Sequence, residues 1–133
     1  MTPLDQVTRE VERLHDVISG WFRGEIVSDR YDPEFAAALH AEFENIQPSG
    51  RVLTRDAIVQ GIRDGRGTNP DFRISIENPR IRGTWPGLIL ATYVEFQTGA
   101  TNSARQNRRL STVLFETGPR LIWRHLQETG LPE

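Results

Sequence analysis

Arg108, Thr112, Arg124 and Glu128 are the residues of this chain whose types and spacing best suit chemistry. They flank Thr117, Gly118 and Pro119, a turn between two alternating stretches. If the hairpin pairs symmetrically about Gly118, Thr112 lies opposite Arg124 and Arg108 lies opposite Glu128, on one face. In a dry apolar pocket a carboxylic acid stays neutral near neutral pH and can donate a hydrogen bond or shuttle a proton. Beside an arginine it stays ionised and forms a structural ion pair. Both roles are open for Glu128: acid/base or ligand-orienting group, or half of an ion pair.

Other constellations are weaker. His125 falls on the opposite parity, beside Trp123 and Gln127, where an imidazole reads as an interface residue in preference to a general base. Ser111 lies near His125 in the expected pairing, but no carboxylate is in sequence reach to orient the histidine, and no Gly-x-Ser-x-Gly motif is present. His40, Glu42 and Glu44 share one strand face, yet with no fourth ligand at fixed spacing they read as a solvated edge, and no metal is expected. Gly61, Gly65 and Gly67 follow a helical stretch and so suit its C-terminal cap, not a phosphate cradle.

Composition removes whole classes of mechanism. The chain of 133 residues has no cysteine, so disulfides, thiolate metal sites and thiol nucleophiles are excluded. All 16 basic residues are arginine. Schiff-base chemistry, lysine general bases and Walker-type loops therefore drop out, because arginine binds charge but does not give up its proton. The net charge of −2 is spread along the chain, which argues against nucleic acid and membrane as partners. No stretch approaches the roughly 20 apolar residues of a spanning helix, and the first residues lack a signal-peptide pattern, so a cytoplasmic protein is expected. The length suits a single domain over residues 1–133.

The elements that must position these groups can be read from periodicity. Leu4, Val7, Val11, Leu14, Ile18 and Trp21 or Phe22 recur at helical spacing, predicting a helix over 2–23 with Thr2 as N-cap and Pro3 in the first turn. A short second helix is predicted over 35–39, a strand over 40–47, a turn at Pro48, Ser49 and Gly50, and a strand over 51–53. Thr54 caps a third helix that runs to Gly65. Everything after Pro70 reads as strand: 72–81 with a bulge at Pro79, then 88–98, 103–116 and 120–129, a four-stranded antiparallel meander. The order gives an α+β protein with helices on one face of a bent sheet. The last hairpin carries apolar residues on both faces. Val113, Phe115, Leu121 and Trp123 form one set, and Leu110, Leu114, Ile122 and Leu126 form the other. Three short helices cover only one face, so a homodimer through the second face is expected.

This element order resembles the nuclear transport factor 2-like superfamily, the cystatin-like cone that includes SnoaL-type cyclases and ketosteroid isomerases. Within it, Ile76, Asn78, Pro79 and Ile81, then Leu90, Ala91 and Tyr93, Arg109, Ser111 and Val113, and the closing His125, Gln127, Thr129, Gly130 and Pro132 look like the association domain of calcium/calmodulin-dependent protein kinase II and its free-standing bacterial relatives. The resemblance implies three N-terminal helices packed on a strongly curved antiparallel sheet around a pocket. It implies an inner wall of Thr92, Val94 and Phe96, of Arg108, Leu110, Thr112 and Leu114, and of Ile122, Arg124, Leu126 and Glu128. In the association-domain group the pocket is lined by arginines, and the matching positions here are Val94, Thr112 and Glu128, none of them arginine. The expected function is a homodimeric domain that binds a small apolar organic molecule. The alternative is a cofactor-free isomerase, dehydratase or cyclase with Glu128 as acid or base and Thr112 and Arg124 orienting it. No cofactor is expected in either case.

Overall fold

The computed structural model describes residues 1–132. Helix α1 (Pro3–Phe22) begins with a capping box: Thr2 Oγ1 accepts from the Asp5 amide, and the Asp5 carboxylate accepts from the Thr2 amide. Its buried stripe, Val7, Val11, Leu14, Val17 and Trp21, also contains the polar residues His15 and Ser19. The second helix is displaced from its predicted place. α2 (Tyr31–Glu34) comes before Phe35, flanked by single 3₁₀ turns at Ser28–Arg30 and Ala36–Ala38. Tertiary packing overrides the alanine run here: Tyr31 is buried against Trp21 and Phe35 and donates its hydroxyl to the Val59 carbonyl at 2.5 Å.

Strands β1 (Leu39–Ile46) and β2 (Val52–Thr54) lead into α3 (Arg55–Asp64), with Thr54 capping the amide of Ala57 and Gly65 closing the helix. Four long strands follow, β3 (Arg73–Trp85), β4 (Leu88–Thr98), β5 (Gln106–Glu116) and β6 (Ile122–Gly130). The sheet runs β2-β1-β6-β5-β4-β3. It is mixed where a wholly antiparallel sheet was expected, because β1 pairs with β6 in parallel. No tight turn joins those two strands, so nothing local forces them to run in opposite directions. The predicted bulge in β3 is present between Glu77 and Arg80, where Asn78 takes a left-handed φ of 54° ahead of Pro79. No helix among the described residues is long and apolar enough to cross a membrane.

One irregularity decides the geometry of the site. In the β5–β6 hairpin Phe115 faces Trp123, but Leu114 faces His125, so Arg124 is an extra residue on β6. Trp123 and Leu126 consequently point to the same side although they lie an odd number of residues apart. A one-residue bulge exchanges the two faces of everything beyond it. The face of the sheet under α1 carries Ile89, Ala91, Tyr93, Val113, Phe115 and Trp123, and these form the core with the α1 stripe.

Candidate functional site

The predicted inner wall is reversed on two of its three strands. Ile89, Ala91, Tyr93, Glu95 and Gln97 are the buried parity of β4, and Ser111, Val113 and Phe115 that of β5. Thr92, Val94, Phe96, Arg108, Leu110, Thr112 and Leu114 therefore lie on the outward face. There Thr92 pairs with Thr112, Val94 with Leu110, Leu90 with Leu114 and Phe96 with Arg108. Thr92 accepts from Arg82 Nε at 3.0 Å, while Arg108 stacks 4.0 Å over the Phe96 ring and pairs with Glu77 at 2.9 Å. Arg124 sits at the bulge, bonded to the Glu42 carbonyl and paired with Glu42 and Glu116. Leu126 packs against the core and Glu128 is buried, so of the expected wall these two point inward. Glu128 faces Ser111, not Arg108, because the hairpin already pairs Phe115 with Trp123, two residues off the symmetric register, and the bulge adds one more.

That wall was implied by the family resemblance, and alternation does not correct it, because the more apolar parity of β4, Leu88, Leu90, Val94 and Phe96, is the one that faces outward. The parity that the helices cover is the more polar one. It encloses a cluster of ionisable groups that contains Glu128 and three partners absent from the predicted set.

His15 projects from α1 onto the sheet, with Nδ1 2.7 Å from the Val11 carbonyl and Nε2 3.0 Å from the Glu95 carboxylate. The carbonyl contact assigns the proton at Nδ1. Gln97 donates to Glu95 at 2.5 Å. On the neighbouring strands Arg109 Nη1 donates to Glu128 at 3.0 Å, and Asn45 of β1 donates to the other Glu128 oxygen at 2.9 Å. Arg109 Nη2 reaches Asn107 at 3.2 Å and Gln97 at 3.5 Å, which joins the two ion pairs through side-chain amides.

Burial acts differently on the two carboxylates. Burial penalises the Glu95 charge, but His15, Arg109 and Gln97 outweigh it and hold this carboxyl below the usual range. Burial and the nearby Glu95 charge raise Glu128 above the usual range, against the pull of Arg109 and Asn45. For His15 burial opposes protonation, yet the Glu95 carboxylate raises its pKa. Burial, with the charges of Glu95 and Glu128, also keeps the Tyr93 hydroxyl protonated. One carboxylate held ionised beside another pushed toward neutrality is the arrangement that separates acid from base roles.

Tyr93 Oη, Ser111 Oγ and Arg109 Nε are buried with no hydrogen-bond partner. Tyr93 and Ser111 face each other across β4 and β5, and Arg109 lies two residues before Ser111 on the same face. Arg109 and Asn107 also line a surface cleft of about 620 Å³ with Phe96, Arg108, Gly130 and Leu131. Arg109 thus belongs both to the interior cluster and to an opening on the surface.

The sequence signals for the missed residues were present but ambiguous. His15 follows Val11 by four, on the apolar stripe of α1. Glu95 and Gln97 share parity with Ile89 and Ala91, and Arg109 shares parity with Val113 and Phe115. Aromatic Trp21, Tyr31, Phe43 and Phe72 are core residues. His125 points outward opposite Leu114, and His40 lies 3.3 Å from Glu116.

Comparison with known proteins places this geometry in a family. An NTF2-like protein of unknown function from Pseudomonas aeruginosa is 32% identical and superimposes with a TM-score of 0.87 over 96% of this chain and 99% of its own. An NTF2-like protein from Cytophaga hutchinsonii matches at 14% identity and TM-score 0.76, over 98% of this chain and 100% of its own. The C. elegans CaMKII association domain matches at 13% and 0.70, over 94% of this chain and 93% of its own. No protein-family model and no curated protein matches the sequence.

Proposed function

Because the chain belongs to the nuclear transport factor 2-like family, we propose that it is a single small-molecule-binding domain that takes its ligand inside the cone, around Tyr93, Arg109, Ser111 and Glu128. The observation that carries this reading is the enclosure of two ion pairs, His15–Glu95 and Arg109–Glu128, between α1 and the sheet. Buried ion pairs give a fold little net stability compared with apolar packing, so a cluster of this kind points to a function for its charges. The surface cleft that Arg109 helps to line supports this reading.

A thermal-shift screen of steroids, terpenoids, polyketide fragments and apolar carboxylates tests this. A ligand at 100 times its dissociation constant adds about 2.7 kcal/mol to stability. A hit whose shift disappears in Arg109→Ala and Glu128→Gln supports the reading; a hit that both variants retain places the ligand elsewhere.

A second reading has its own observation. The raised Glu128 carboxyl lies on the same face as the unpartnered Tyr93 hydroxyl, which suits cofactor-free proton transfer in an isomerase, dehydratase or cyclase, with Glu128 as acid or base. Turnover of a hit, with a bell-shaped pH–rate profile lost in Glu128→Gln, would select it.

Self-association through the outward sheet face is the remaining part of the proposal. Leu90 with Leu114 and Val94 with Leu110 form two apolar cross-strand pairs there, on either side of the Thr92–Thr112 pair, and Leu110 is 38% exposed. A self-complementary patch of this kind suits a two-fold dimer.

A further inference from the structure

We propose that a second surface cleft, separate from the interior cluster, binds the phosphate group of a small phosphate monoester or free phosphate. The cleft has a volume of about 550 Å³ and lies between the first half of α1 and the turn from β5 to β6. It sits at the other end of these strands from the cleft that Arg109 lines. Three arginines border it, Arg9 and Arg13 from α1 and Arg120 from the turn, with Glu10 as the one carboxylate among the described residues that line it. Glu10 is already engaged: Arg13 Nε and Nη2 donate to its two oxygens at 2.9 and 2.8 Å, and Trp123 Nε1 donates to Oε2 at 2.8 Å. Arg13 in turn gives Nη1 to the Glu34 carbonyl at 2.6 Å. Arg9 and Arg120 are exposed and enter no ion pair among the described residues.

The carboxylates flanking the cleft are committed elsewhere. Asp5, one turn before Arg9, accepts from the Thr2 amide in the capping box, and Glu116, just before the turn, pairs with His40 and Arg124. Two side-chain positive charges therefore remain uncompensated in one cleft, on a chain whose net charge is −2. A phosphate monoester carries close to two negative charges at neutral pH and three acceptor oxygens, so a single group can accept from two guanidinium forks. A monocarboxylate compensates one arginine and leaves the other, while a neutral or cationic group gains nothing from either. Gln6 and Thr117 add an amide and a hydroxyl donor, and Pro119 and Leu121 offer apolar surface to the organic part of an ester.

The test is a chemical-shift titration of the whole chain, in phosphate-free buffer at neutral pH and low salt, with phenyl phosphate, inorganic phosphate, benzoate and anisole. The Trp123 indole reports on the site, because its N–H is bonded to Glu10. Phenyl phosphate is expected to saturate, with shifts centred on Gln6, Arg9, Leu121 and this indole, and to bind about fivefold or more tighter than benzoate. Anisole should leave these signals in place. Arg9→Gln and Arg120→Gln should each weaken phenyl phosphate about fivefold, and salt should weaken it in the parent protein. Arg105→Gln, which removes the same charge just before the far end of β5, should not weaken it. Both cleft arginines are exposed and outside the core, so their variants are expected to fold. Phenyl phosphate tighter than inorganic phosphate assigns an organic ester and equal affinities assign free phosphate; either supports the site. Benzoate as tight as phenyl phosphate, an affinity unmoved by both cleft variants, or no saturable shift at these signals overturns the proposal. An equal loss in Arg105→Gln also overturns it, because the attraction would then belong to the overall charge of the protein. None of these failures touches the binding role of the interior, which is read at Tyr93 and Ser111.

Discussion

His15 Nε2 lies 3.0 Å from the Glu95 carboxylate, with both side chains almost wholly enclosed between α1 and β4. The contact ties the first helix to the middle of the sheet by charge instead of by apolar packing, and it makes folding sensitive to pH. His15 is raised in the fold, so its contribution is complete below its ordinary value of 6.5 and disappears as pH rises through the raised value. Glu95 is lowered, so its contribution is complete above its ordinary value of 4.5 and disappears as pH falls through the lowered one. The pair therefore stabilises most between those two ordinary values. Urea unfolding across pH should show a dome there that His15→Ala flattens, with a loss of about 3 kcal/mol at its top. An unchanged profile in the variant would show that the pair does not form.

Glu128 has the opposite sign. Its carboxyl is raised, so the stability linked to its proton is present below the ordinary carboxylate range and lost as pH rises through the raised value. Carboxyl-carbon NMR should find Glu128 titrating above, and Glu95 below, the exposed glutamates. Equal midpoints for the two would remove the physical basis for separate acid and base roles.

Tyr93→Phe and Ser111→Ala should each leave the ligand-free protein as stable as the parent or raise its stability by about 1 kcal/mol, because each removes a buried atom that makes no hydrogen bond. Thermal unfolding checks this. A loss of about 2 kcal/mol or more would mean that the hydroxyl does have a partner in solution.

Leu110→Arg on the outward face should dissociate the proposed dimer and leave the circular dichroism spectrum intact, since this side chain is 38% exposed and outside the core. Light scattering after size-exclusion chromatography reads the mass. A monomeric parent protein would end the interface proposal.

The P. aeruginosa structure extends the family over nearly the full length of both chains, yet the position of the charges was not legible from family resemblance or from alternation. The reason lies in particular residues. Thr2, Pro3, Thr54, Gly65 and Pro79 act locally, through caps, a fixed φ or a missing N–H, so sequence reading located α1, α3 and the β3 bulge. Glu128 was legible as the carboxylate to watch because it stands at an alternating position late in the last strand. Its partner was not, because the hairpin pairs Phe115 with Trp123, two residues off the symmetric register, and the extra residue at Arg124 adds one more, which sets Glu128 opposite Ser111 and brings in Arg109.

By itself, the sequence determined the chemistry available to this protein: no thiol, no lysine, and arginine, aspartate, glutamate and histidine as its charged repertoire. It also determined most element boundaries, which depend on neighbours a few residues apart. Only the tertiary structure decided which face of β4 and β5 lies inside. Both faces carry enough apolar side chains to be buried, so the choice depends on how α1 docks and how β6 is registered, and those are contacts between residues far apart in the chain.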